Sequence, residues 1–100
     1  MAYLQRVKTA WLAISVALIT TQCSSIPVDE NDPKSLFEDA ERDIQSDRFQ
    51  IASDKLRMVR NKFPYSQYSI LAQLKTADVL YLQEFWAEAA AAYELFADLH

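Results

Sequence analysis

The sequence predicts an all-α protein built from helical hairpins stacked as repeats, and three observations carry that prediction. Apolar residues recur at steps of three and four along the chain from Leu36 onward, the spacing of one helix face. That pattern repeats at an offset of 37 residues, the kind of period that marks stacked supersecondary units. The 100 residues include no glycine, which excludes phosphate-cradling loops, dinucleotide-binding turns and Asn-Gly hairpins in one stroke.

The first element is a leader. Arg6 and Lys8 precede an uncharged run over residues 9–22 that is rich in Ala, Leu, Ile and Val, which is the charged and apolar order of a secretory signal. As a helix this run would span about 21 Å, short of the roughly 30 Å hydrocarbon core, so a permanent span is the weaker reading. Cys23, the only cysteine, follows immediately, with Ser24 and Ser25 after it. This arrangement resembles the lipobox of bacterial lipoproteins, in which the thiol is acylated and becomes the mature N-terminus; Thr20, Thr21 and Gln22 depart from the small residues of that pattern. The resemblance implies a covalent lipid on Cys23, and several acyl chains hold far more firmly than one. No other cofactor is expected.

The tether and the first helix come next. Val28–Asp32 is short and acidic, so residues 23–34 are expected to form a flexible link from the lipidated cysteine. Pro33 suits a first helical turn, and Ser35 with Glu38 matches a capping box, so the helix should begin between residues 33 and 35.

From here the repeat sets the elements. Phe49, Ala52, Leu56 and Val59 recur as Trp86, Ala89, Tyr93 and Phe96, and Phe37, Ala40 and Ile44 recur as Leu74, Ala77 and Tyr81. Leu36 against Gln73 and Asp43 against Leu80 are the mismatches. Helices are expected over residues 35–46, 49–63, 69–83 and 86–99, giving a first repeat at 35–64 and a loop with a second repeat at 65–100. The alanines Ala40, Ala52, Ala77 and Ala89 should mark close helix approaches. With Phe49, Leu56, Val59 and Pro64, and with Trp86, Tyr93 and Phe96, they resemble the tetratricopeptide repeat, with Asp47 and Glu84 in place of its usual Gly or Asp at the turn. Two such units are expected to leave Trp86, Tyr93 and Phe96 partly uncovered, because roughly three repeats are needed for a stable array. We therefore expect an incomplete array, continued by further repeats or covered by a partner.

Charge and composition bound the function. The formal net charge is −4, and −6 once Arg6 and Lys8 leave with a leader, so no nucleic-acid binding is expected. A single histidine, His100, and a single cysteine cannot assemble a zinc site or a nucleophile–base pair, and no catalytic or metal site is expected. Glu38, Asp39, Glu41 and Asp43 are expected to complement the dipole of the first helix. Lys55, Arg57, Arg60 and Lys62 are expected on a solvated face of the second, with contact to phosphate or lipid headgroups as the alternative reading.

A narrower resemblance lies in the lipobox-like cysteine, the acidic tether, Leu36-Phe37-x-x-Ala40 and Lys62-Phe63-Pro64-Tyr65-Ser66-x-Tyr68-Ser69. With Ala77-Asp78-Val79-Leu80-Tyr81 and Phe96-Ala97-Asp98-Leu99-His100, these resemble the N-terminal portion of the BamD family. That family is a lipoprotein scaffold of the outer-membrane β-barrel assembly machinery. The resemblance implies a periplasm-facing, non-enzymatic scaffold at the bacterial outer membrane, partnered by the barrel-forming assembly subunit, sibling lipoproteins and unfolded outer-membrane protein segments. Repeat geometry makes Phe37, Glu41, Ile44 and Gln45, then Leu74, Asp78 and Tyr81, the candidates lining the binding face, some of them doubling as core; Tyr65 and Tyr68 are secondary candidates. The residues also admit another envelope repeat lipoprotein of pilotin-like or division-coordinating type, an uncleaved inner-membrane anchor, and the docking arm of a larger envelope enzyme.

Overall fold

Apolar positions at helical spacing, broken only where the turns fall, dictate four helices. The computed structural model describes residues 27–100. In it α1 (Pro33–Gln45) pairs with α2 (Phe49–Lys62) and α3 (Gln67–Leu82) pairs with α4 (Trp86–Leu99). Successive helices pack on one another and α1 also meets α3, so the two hairpins stack as tetratricopeptide-like units. No strand occurs among the described residues. The leader and Cys23 lie outside them.

The main core sits among α1, α2 and α3, where Leu36, Phe37, Ala40, Leu56, Val59, Ala72 and Val79 are buried together. The alanines behave as their spacing requires. Ala40, Ala52 and Ala77 are fully buried and Ala89 is 2% exposed, each at a contact where a larger side chain would hold the helices apart. Ala89 is the sole buried residue of α4, because only α3 packs against that helix.

Helix starts correct two expectations. Pro33 has no N–H and takes the first helical position, so the cap falls on Asp32, whose carboxylate accepts the Ser35 N–H at 3.0 Å. The Ser35–Glu38 capping box therefore does not form; the Ser35 hydroxyl instead accepts the Asp29 N–H at 3.3 Å. Likewise α3 starts at Gln67 rather than near residue 69, since Ser66 caps it by accepting the Tyr68 N–H at 3.1 Å. The connection between hairpins is thereby only Phe63–Ser66.

The turns within the two hairpins share one backbone shape. Asp47 and Glu84, 37 residues apart, take left-handed φ values of 57° and 65°. The Asp47 and Arg48 N–H groups donate to the Ile44 and Asp43 carbonyls at 3.0 and 2.8 Å, and those of Glu84 and Phe85 donate to the Tyr81 and Leu80 carbonyls at 3.0 Å each. This double closure satisfies carbonyls left open at a helix end. It normally uses glycine, and a side chain there costs roughly 1–2 kcal/mol.

Candidate partner-binding surface

One charged network fixes how the first hairpin presents its faces. Asp43 is 3% exposed, in the last turn of α1, where the helix dipole disfavours an acid. Two cations offset that position: Arg48 Nη2 lies 2.7 Å from one carboxylate oxygen and Lys55 Nζ donates to the other at 2.5 Å. Lys55 also pairs with Asp39, which is held in turn by Arg42 at 3.1 Å. Burial raises the Asp39 carboxyl, but its hydrogen bonds and charge contacts with Lys55 and Arg42 hold it below the usual 3.8. Burial lowers Lys55, yet Asp39 and Asp43 hold it above 10.5.

Two expectations change here. The acids of α1 do not complement its dipole, since none lies in its first turn. Lys55 is not on a solvated face either, because it bridges α2 to two α1 carboxylates.

On the side where α1 meets α3, the repeat sets two matching rows. Lys34, Glu38, Glu41 and Gln45 step along α1, and 37 residues on Leu71, Lys75, Asp78 and Leu82 step along α3. Each row spans three turns of one helix face. Lys75 Nζ crosses between them to Glu41 at 3.3 Å and also lies 3.9 Å from Asp78. Asp78 accepts the Tyr93 hydroxyl at 2.5 Å, tying α3 to α4. That hydrogen bond, with desolvation and the Asp78 charge, pushes the Tyr93 phenol up to about 12. Leu71 and Leu82 flank this charged centre, 44% and 51% exposed. Eleven residues of helix set them about 16 Å apart. The result is two apolar anchors on either side of fixed charges.

The residues expected to line the binding face divide accordingly. Glu41, Gln45 and Asp78 stand in the two rows, and half-buried Leu74 lies beside them. Phe37 and Ile44 turn inward instead: Phe37 is 6% exposed with its ring 5.7 Å from Tyr68, and Ile44 packs against the same core. Through Tyr68, Phe37 meets α3, the neighbour that the repeat places on that side. Tyr81 is exposed and meets Trp86 edge-on at 5.0 Å. Tyr68 is half-buried in the first turn of α3, whereas Tyr65 is fully exposed in the connection at the other end of the hairpins.

Sequence reasoning missed Leu71 and Leu82. The 37-residue offset could have found them, because it maps Lys34 and Gln45 onto them as it maps Glu41 onto Asp78. A shallow apolar depression lined by Arg48, Phe49, Ile51 and Gln83 is wide open and encloses nothing. Among the described residues, no cluster of three His, Cys, Asp or Glu side chains is placed to hold a metal, and no helix is long and apolar enough to cross a membrane.

Compared with known proteins, residues 29–100 match the family model YfiO, described as outer membrane lipoprotein. No solved structure matches.

Proposed function

Because the chain belongs to the YfiO family of outer membrane lipoproteins, we propose that it is a lipid-anchored scaffold of β-barrel assembly, working by binding rather than by catalysis. Cys23 carries the lipid in this reading and holds the repeats at the periplasmic face of the outer membrane. The α1/α3 face receives extended segments of unfolded outer-membrane proteins, and the stacked hairpins engage the barrel-forming assembly subunit and its sibling lipoproteins.

The observation that carries the binding role is the pair Leu71 and Leu82, exposed on either side of the Glu41–Lys75–Asp78 centre. Their spacing of about 16 Å is the reach of roughly five residues of extended chain. A segment of that kind can set apolar side chains on both leucines while its backbone amides and carbonyls meet the charged centre. The charges are already fixed by one another and by Tyr93, so little ordering is needed on binding.

Affinity purification from detergent-solubilised envelopes tests the reading, with wild type beside Leu71→Glu/Leu82→Glu. The expected result is recovery of the barrel-forming subunit by both chains and of unfolded outer-membrane protein by wild type only. Recovery of a secretin or of division proteins in place of the barrel-forming subunit would overturn it.

A further inference from the structure

The chain entering α1 is folded against one end of the first hairpin. Asp29 N–H donates to the Ser35 hydroxyl at 3.3 Å, Asn31 N–H to the Asp29 carboxylate at 2.9 Å, and Asp32 N–H to the Asp29 carbonyl at 3.1 Å. From the far side, Lys62 Nζ at the end of α2 reaches the Glu30 carbonyl at 3.5 Å. Residues 29–32 thus form a turn docked on the start of α1 and the end of α2. Cys23 precedes this turn by six residues, which span about 20 Å even when fully extended. An acylated Cys23 would therefore keep this end of the hairpin within about that distance of the lipid surface.

The same end carries side chains suited to such a surface. Arg60 and Lys62 are exposed, and among the described residues no carboxylate lies within ion-pair distance of either. Tyr65, in the connection directly after α2, is fully exposed. Asp29 and Asp32 sit nearby, but both carboxylates are occupied by backbone N–H groups; Glu30 is the remaining acid of the turn. Arginine and lysine pair with phosphate, and tyrosine is favoured at the membrane–water boundary.

Resting on the lipid-anchor reading above, we propose that Arg60, Lys62 and Tyr65 form a second contact with the phospholipid surface. Cations meet headgroup phosphates there while the tyrosine ring lies at the interface. A covalent chain fixes position, and this contact fixes orientation: the Phe63–Ser66 end faces the bilayer and the Asp47 and Glu84 turns point away. The α1/α3 face then stands upright from the surface, open along its length.

Acylated Cys23 leaves no free thiol, since the chain has no other cysteine, so Tyr65→Cys and Gln50→Cys each create one labelling site. Both full-length, acylated variants carry a fluorophore there and are reconstituted into phosphatidylethanolamine–phosphatidylglycerol vesicles containing a headgroup nitroxide quencher. The expected result is several-fold stronger quenching at residue 65 than at residue 50. Arg60→Glu with Lys62→Glu in the same chain should reduce that difference, while circular dichroism shows the helices intact. Equal quenching at the two sites, or a difference untouched by charge reversal, overturns the proposal. So does shielding of residue 65 in native envelopes but not in vesicles, which would assign that end to a protein partner. Intact mass of the mature N-terminus separates the two readings: an unmodified Cys23 defeats the anchor itself, whereas an acylated chain with equal quenching defeats only the second contact.

Discussion

The two hairpins share a backbone and differ in what holds them. In the first, Asp39, Asp43, Arg48 and Lys55 form a charged clamp between α1 and α2; 37 residues on, the same positions are Thr76, Leu80, Phe85 and Ala92. The outer faces differ in the same sense. Ala72 and Val79, buried in α3, correspond to Ser35 and Arg42 on α1. Phe49 and Met58, packed on the core from α2, correspond to Trp86 and Leu95 on α4, 56% and 54% exposed. One backbone therefore supports a polar, closed unit and an apolar, open one. Charge pairs tie α1 to α2 and leave its outer side wet, while the second unit offers apolar surface for contact.

Breaking the clamp should give the largest effect. Lys55→Ala removes the cation shared by buried Asp43 and half-buried Asp39, leaving them Arg48 and Arg42, and should cost about 2–3 kcal/mol, no more than the low end of the scale for orphaning a buried charge. Transplanting the second unit's residues together (Asp39→Thr, Asp43→Leu, Arg48→Phe, Lys55→Ala) should recover most of that loss in urea unfolding. If the fourfold variant is as unstable as Lys55→Ala, the two solutions are not interchangeable.

Overpacking sharpens the comparison next. Ala52→Leu, on a helix packed by both α1 and α3, should destabilise by about 2 kcal/mol, within the range for added core methylenes. Ala89→Leu should cost less, because α4 is packed on one side only and can shift outward. Equal loss of thermal stability in the two variants would contradict the open second unit.

The turns should respond more weakly and in the opposite direction. Glu84→Gly removes a side chain from a left-handed residue and should raise stability by about 1 kcal/mol. Asp47→Gly should raise it less, since aspartate tolerates that region better. Thermal melting of the pair checks the order.

Smallest are the pH effects, and they separate the hairpins. Asp39 has a folded pKa depressed below 3.8, so its stabilisation is present above that value and fades as pH falls through the lower folded value. Tyr93 is raised from 10.0 to about 12, so its contribution is full below pH 10 and is lost as pH climbs towards 12. Tyr93→Phe should flatten the alkaline loss in the second unit and leave the acid limb unchanged.

Much of this was legible in the sequence. The helix number and the alanine contacts follow from one period and from steps of three and four, which are local properties; the left-handed backbone at Asp47 and Glu84 does not, because neither residue is the glycine that marks such a turn. The clamp was not, although Asp43 against Leu80 stood out as a mismatch, because its meaning depends on Lys55 arriving from another helix. Which of the candidates Phe37, Glu41, Ile44 and Gln45 would be core was not legible for a similar reason: α3, whose Tyr68 meets the Phe37 ring, lies a full repeat away. Leu71 and Leu82 hid in a helix with apolar residues on every side, where periodicity alone selects no face.

The central claim is that the α1/α3 face receives client segments. A photo-crosslinking residue placed at Leu82 in living cells, with a control at exposed Arg57 on α2, tests it most directly. The account predicts adducts with unassembled outer-membrane proteins from position 82 and none from position 57. Adducts of equal yield from both positions, or client adducts from 57 alone, would contradict it.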